Sequence, residues 1–302
     1  MGRLLENLNR NRRLLHIYSS IGAGIKTIEK MVTFDPTLEN IFYMDARDLS
    51  HYFEIDEQKA LGIYEDLRKP LEDLIRCDYH SLSFITRFDD AYPNLLKEIY
   101  DPPWVLFYKG NLSVLKNKQT LAVVGTRRPT KDAYQVMKEI LLPLIKKGWC
   151  IVSGLAYGID AIGHQLALAE NGSTIAVIGS GLDAIYPKEH QPLAEKIAEN
   201  NILLSEYLPH QRAQKWQFPM RNRIISGLSL GTLVVEAKER SGSLITADQA
   251  LEQGREVFAI PGSILSENSK GTNYLIQQGA KLVMSSHDIE NELIFDKHGK
   301  SI

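Results

Sequence analysis

Short runs of consecutive apolar residues recur along the later two thirds of the chain, each followed by a segment with helical spacing. The runs are LAVVG (121–125), CIVSG (150–154), TIAVIG (174–179), ILLSE (202–206), TLVVE (232–236), EVFAI (256–260) and AKLVM (280–284). A strand that is nearly continuously apolar is buried on both faces. Strands of this kind alternating with helices, such as 132–147 and the one ending at Glu170, predict an α/β fold with a parallel sheet covered on both sides. Residues 1–80 have a different rhythm. Leu14, Leu15, Ile17 and Tyr18 precede a Ser-Ser-Ile-Gly-Ala-Gly turn at 19–24, after which Ile25, Ile28 and Met31 continue with helical spacing. A second helical pattern covers 56–75. Gly22 and Gly24 between two short helices resemble a helix-hairpin-helix or SAM-like all-α unit.

Between these parts, residues 81–118 read as a connector. Pro93, Pro102 and Pro103 exclude a long helix there, and Val105-Leu106-Phe107 is a short strand. The expected organisation is a helical domain at 1–80, the connector at 81–118, a Rossmann-like core at 119–287 and a short helix with a frayed tail at 288–302. No further domain is expected in the residues after the core.

Composition narrows the class. The 302 residues are 44% hydrophobic and 24% charged, ordinary for a soluble globular protein. No run approaches a membrane span, and the basic N-terminus MGRLLENLNRNRRLL lacks the apolar stretch of a secretory signal. Cys77 and Cys150 stand alone, outside any zinc or CxxC spacing, so a reducing cytoplasm is expected and no metal or cofactor is. The formal net charge of −2 argues mildly against a nucleic-acid partner. The placement of the bases changes that picture, because Arg127, Arg128, Lys188 and Arg240 all sit beside turns.

In a parallel sheet all strand C-termini share one edge, where ligands bind. The turns there are Gly125-Thr126-Arg127-Arg128, Ser153-Gly154-Leu155-Ala156-Tyr157-Gly158, Gly179-Ser180-Gly181, Ser205-Glu206 and, after the TLVVE run, Lys238 and Arg240-Ser241-Gly242-Ser243, which opens a helix. Glycines let a backbone approach a ligand closely, and helix N-termini hold anions. A row of such turns suits a row of phosphates. Phe218, Tyr157, Tyr186 and Trp216 nearby could stack unpaired bases. Arg221 and Arg223, flanking Asn222, add cations, one of the arginines being open to pairing with Glu206 or Glu236 inside the fold.

Other chemistries fit less well. Gly179-Ser180-Gly181-Leu182-Asp183-Ala184 matches a dinucleotide fingerprint, but Pro187 follows within a turn and stops the required helix. No GxxxxGK[ST], HExxH or GxSxG occurs. Asp160 and His164 lack a third ligand and read as local helix support and packing. Ser241 and Ser243 have no evident base.

These motifs in this order resemble the DNA-processing protein A family, also called Smf. They are DPPWVLFYKGNL (101–112), AVVGTRRPT (122–130), IVSGLAYGIDAIGH (151–164), TIAVIGSGLDAIYPKEH (174–190), LLSEY (203–207), FPMRNRIISGL (218–228) and EAKERSGSLITADQALEQGREVFAIPGSI (236–264). The resemblance implies a SAM-like N-terminal domain on an extended Rossmann core, homodimerisation, and single-stranded DNA binding without catalysis. It also implies delivery of that DNA to RecA recombinase during natural transformation. It places DNA contacts at Arg127, Lys188, Phe218, Arg221, Asn222 and Arg223. With the rim read from the turns, the candidate set is Gly125, Thr126, Arg127, Ser153, Gly154, Gly179, Gly181, Lys188, Phe218, Arg221, Asn222, Arg223, Lys238, Arg240, Ser241, Gly242 and Ser243. The rival reading is a nucleoside-monophosphate phosphoribohydrolase. That chemistry uses a PGGxGT turn and a catalytic Glu. Here the turn lacks the double glycine, and Glu236 is the candidate acid.

Overall fold

The computed structural model describes residues 9–295, so the first eight residues and 296–302, the end of the expected tail, lie outside it. Nine strands form one sheet: β1 (Phe84–Thr86), β2 (Val105–Gly110), β3 (Thr120–Val124), β4 (Cys150–Ser153), β5 (Thr174–Ile178), β6 (Ile202–Ser205), β7 (Gly231–Val234), β8 (Glu256–Ala259) and β9 (Lys281–Leu282). Their order is β1-β2-β6-β5-β4-β3-β7-β8-β9. The seven strands from β6 to β9 are parallel, while β1 and β2 add an antiparallel pair at the β6 edge.

The apolar runs are strands because both of their faces are covered. Along β3, Leu121 and Val123 join Met137, Leu141, Ile159 and Leu166 on one side. Ala122 and Val124 join Ile224, Ile225, Ala247 and Leu275 on the other. That alternation is the period of two of a strand read on two buried faces. The chain runs outward from β3 through β4 and β5 to β6, then returns to β7 on the opposite flank of β3. The register there is Leu121↔Gly231 through Val124↔Val234. At this reversal the crossovers leave on opposite faces, and a crevice opens at the strand C-termini.

Two expectations change. The 280–284 run forms a strand only at Lys281–Leu282, an exposed edge where just one neighbour supplies a ladder. The 56–75 pattern is two helices, Glu57–Asp66 and Leu71–Ile75, because Pro70 cannot continue the first. The short helix expected near the end of the chain spans Ser286–Phe295, and its Ile289 and Leu293 enter the core. Its Glu290 pairs with Lys147 at 2.8 Å.

The N-terminal helices Arg10–Ser19, Ile25–Phe34, Ala46–Phe53, Glu57–Asp66 and Leu71–Ile75 bury their own cluster, which also takes in Trp104, Val105 and Phe107. The connector therefore belongs to two cores. Trp104 donates its indole N–H to the carbonyl of Ile25 (3.1 Å), and Asn11 donates to Asp89 (2.8 Å). At the turn between the first two helices, Gly22 has φ +97, the left-handed region that glycine fills without strain.

His164 is fully buried on the helix Ile159–Ala169, with Nδ1 2.7 Å from the Thr174 hydroxyl. Thr174 donates its own proton to Ile151 O, so His164 is the donor between them. The local-packing reading of this residue holds, and no group of residues suited to a metal occurs among those described. Burial, aided by His190 and Arg221, pushes the imidazole down to about 3. Between that value and the ordinary one near 6.5 the unfolded chain binds a proton that the folded chain refuses. Stability is therefore full above about pH 6.5 and falls progressively as pH drops toward 3. In urea denaturation from pH 4 to 8, His164→Asn, which keeps a donor for Thr174, is expected to flatten this slope. A residual slope from buried His16, also lowered by burial, remains. Equal slopes for both proteins would remove His164 as the source.

Candidate nucleic-acid interface

The crevice at the reversal is a cleft of about 460 Å3. Its walls are the loop after β3, with Gly125, Thr126, Arg127 and Arg128, and the loop after β7, with Lys238, Arg240, Ser241, Gly242 and Ser243. The helix Gln217–Gly227 closes the third side with Phe218, Arg221 and Asn222. Cations dominate this lining. Arg127, Arg128, Lys238 and Arg240 are exposed, and among the described residues none of the four has an ion-pair partner within 4.0 Å. Four unneutralised cations around one crevice focus positive potential there in spite of the chain's net charge.

The second wall is a helix N-terminus. Ser241 caps the helix Gly242–Glu252 by accepting from the Ser243 N–H, and its hydroxyl lies 2.7 Å from that of Ser243. No acidic residue occupies the first turn, so the partial positive charge of the helix end faces the cleft. Gly242 has open space where a Cβ would stand. Nothing here provides a base for either serine.

Arg221 forms the floor. It is buried, donates through Nη1 to the carbonyls of Gly154 (2.6 Å) and Val177, and reaches Asn222 through Nε (3.1 Å). Burial pushes the guanidinium down to about 10, so it stays charged at neutral pH. Asp160 is the one carboxylate lining the cleft among the described residues. Burial raises its carboxyl above the usual range, opposed by Arg221 and by the N–H groups of Ala156 and Gly154. Those amides donate to a single Asp160 oxygen at 3.4 and 3.2 Å.

Phe218 stands between the cleft and a smaller adjoining pocket lined by Tyr157, Tyr186 and Pro187. Its ring lies 5.6 Å from that of Tyr186 and 5.9 Å below the Arg127 guanidinium. Tyr186 is 49% exposed and Trp216 55%. Lys188, exposed, follows Pro187 at the start of a short 3-10 turn beside this second pocket.

Residues 83–294 match the model of the family described as DNA recombination-mediator protein A. The chain belongs to that family. It is 54% identical over 202 residues to a DNA processing protein DprA of Bacillus subtilis, covering 67% of this chain and 68% of that one. To the Streptococcus pneumoniae DprA it is 52% identical over 207 residues, 68% and 73% of the two chains. A solved structure of DprA from S. pneumoniae superposes with TM-score 0.84 at 39% identity, covering 95% of this chain and 98% of that one. The DNA processing protein A of Helicobacter pylori matches with TM-score 0.64 at 32% identity, covering 71% and 97%. The published description of that structure concerns its mode of single-stranded DNA binding.

Within this member of the mediator family, several rim glycines serve neighbouring parts of the same chain. A Cβ on Gly154 would stand 2.7 Å from the Arg221 guanidinium, and one on Gly179 would stand 2.9 Å from the Phe218 ring. Gly181 donates its N–H to Gln211 O (2.7 Å), and a Cβ on it would stand 2.0 and 2.2 Å from the carbonyl oxygens of Leu208 and Pro209. Gly125 abuts Ile159 and the Glu236 carbonyl. Ser153 is buried and donates to Val123 O. The close approach read from these positions is real, but the approaching groups are protein.

Arg223 is a correction. It is buried on the far side of its helix, donating to both carboxylate oxygens of Glu206 (2.6 and 2.7 Å), with Asp101 3.0 Å from its Nε. It takes no part in lining the cleft. Of the two acids that the sequence leaves open as partners for an arginine here, Glu206 is the one that pairs. Arg128 and Asp160 belong to the lining and stand outside the candidate set read from the sequence. The charge of Arg128 next to Arg127 is the available signal for it.

These placements separate two kinds of glycine. Gly181→Ala is expected to destabilise by about 1–3 kcal/mol or more, because backbone carbonyls must shift. Gly242→Ala, in open space, is expected to stay within about 0.5 kcal/mol of the parent. Urea denaturation of both checks this, and comparable losses would contradict the assignment.

Proposed function

We propose that this chain is a single-stranded-DNA-binding recombination mediator that protects incoming DNA and loads RecA recombinase onto it during natural transformation. It works in the cytoplasm as a homodimer and by binding rather than by catalysis. The observation that carries the reading is the cleft: four exposed cations with no ion pair among the described residues and a helix N-terminus free of acidic residues around one crevice, with aromatic rings at its margin. Cations and free N–H groups hold phosphates, and ring faces hold unstacked bases. Arg127, Arg128, Lys238, Arg240, Gly242 and Phe218 are the direct contacts. Arg221 supplies a fixed positive charge from below, and Lys188 extends the path past Tyr186. Membership of the mediator family supports RecA as the partner.

The hydrolase reading lacks a reacting carboxylate in the cleft. Glu236 lies outside it, with its oxygens taken by Thr130 and Asn268, and Asp160 is held by backbone amides. Incubation with nucleoside monophosphates is expected to release no free base.

Fluorescence anisotropy with short oligo-dT across a salt series, beside a blunt duplex of equal length, tests the binding. The single strand is expected to bind far more tightly. Arg127→Ala combined with Lys188→Ala is expected to weaken binding and lower the salt slope by roughly 1–2 units, since each phosphate of a single strand that a cation neutralises adds about 0.7 to it. Equal affinity for duplex, or an unchanged slope in the folded double variant, would count against the reading.

A further inference from the structure

We infer that Glu236 and Asn268 are positioning residues that hold the backbone of 126–130 so that Arg127 and Arg128 stand over the cleft. The inference rests on the DNA-binding reading and adds to it two residues that do not line the cleft. The loop after β3 carries two of the four exposed cations, yet its backbone lies beyond the strand ladder. It is anchored at both ends by other elements. At its start, the Thr126 N–H donates to Glu236 O (2.7 Å) and the Ile159 N–H donates to Thr126 O (3.2 Å). Gly158, at φ +75, lets this peptide lie against it: a Cβ there would stand 2.4 Å from Thr126 O.

At the loop's end the Glu236 side chain takes over. Its two oxygens accept from the Thr130 N–H (3.0 Å) and the Thr130 hydroxyl (2.5 Å). Asn268 arrives from the short 3-10 turn Glu267–Ser269 after β8, and its Nδ2 donates both to Glu236 (3.0 Å) and to the carbonyl of Arg128 (3.0 Å). Asn268 is itself tied back, since its backbone carbonyl accepts from the Ala237 N–H at 2.7 Å. One amide group thus bridges the peptide of a cleft arginine to the carboxylate of Glu236, just past the end of β7. The main chain is fixed at 126, 128 and 130, while the side chains of 127 and 128 are free for phosphate.

Asn268→Ala removes both donor hydrogen bonds and leaves every cleft-lining side chain in place. Two readouts decide its role. Hydrogen exchange at the amides of 126–130 is expected to quicken while β3 and β7 keep their protection. Oligo-dT binding is expected to weaken, its salt slope falling by about 0.7 for each phosphate that is no longer neutralised. Placed on an Arg127→Ala, Arg128→Ala background, the same change is expected to add no further loss, because the residue acts through those side chains. A wild-type slope in Asn268→Ala, or a loss that adds in full on that background, overturns the clasp. Failure of the unaltered protein to bind oligo-dT overturns instead the DNA-binding reading on which the clasp depends, and unchanged exchange at 126–130 overturns the clasp independently of DNA.

Discussion

The cleft depends on one buried guanidinium. Arg221 gathers the carbonyls of Gly154 and Val177, from the ends of two neighbouring strands, onto a single cation at the sheet edge. A buried charge costs several kcal/mol unless it is paired and hydrogen-bonded, and removing one partner of such a set costs about 3–5 kcal/mol. Asp160 supplies the opposing charge, and its own burial is relieved by the amides of Gly154 and Ala156. The arrangement needs a backbone without Cβ at 154, because the guanidinium occupies that space. Sheet edge, helix and loop are therefore locked by the same few atoms.

Fixing Arg221 fixes the rotation of the helix Gln217–Gly227. Residues two apart on an α-helix point about 200° apart, so Arg223 must face away from the cleft when Arg221 faces it. There it meets Glu206, whose backbone carbonyl also accepts the hydroxyl of Tyr18 from the first described helix. The same helix thus floors the cleft and braces the joint with the N-terminal helices. It also lays Phe218 against Gly179, which places the ring beside Tyr186 and beneath Arg127.

The core strands are legible in the sequence because each is nearly continuously apolar, a pattern that two-sided burial explains. β1 is not, since three residues carry no period and its pairing with Val105–Phe107 is set by the fold. At the site, Arg127, Lys238, Arg240 and Ser241 are legible from their place beside turns at strand ends. The glycines are legible as points of close approach, while the identity of the approaching group is not. Gly179 and Gly181 read like a ligand turn, yet Phe218 and the 208–211 segment fill that space. Asn268 leaves no local signal at all. It lies 32 positions beyond Glu236 in sequence, and only the β7–β8 crossover brings the two together.

Charge at the cleft follows from where the carboxylates are spent rather than from how many there are. The chain carries a net −2, and Asp160 and Glu236 are among the acids close to the crevice. Both are held mainly by groups other than the exposed cations: Asp160 by backbone amides and the buried Arg221, with Arg127 a lesser influence, and Glu236 by Thr130 and Asn268. An acid held in this way forms no ion pair with Arg127, Arg128, Lys238 or Arg240 among the described residues, and Glu236 stiffens the loop that carries the first two. Had the Glu236 carboxylate turned into the cleft, it would have formed an ion pair there and competed with phosphate for the same cation. The hydrogen bonds that hold the two acids back are thus part of what leaves the cleft positive.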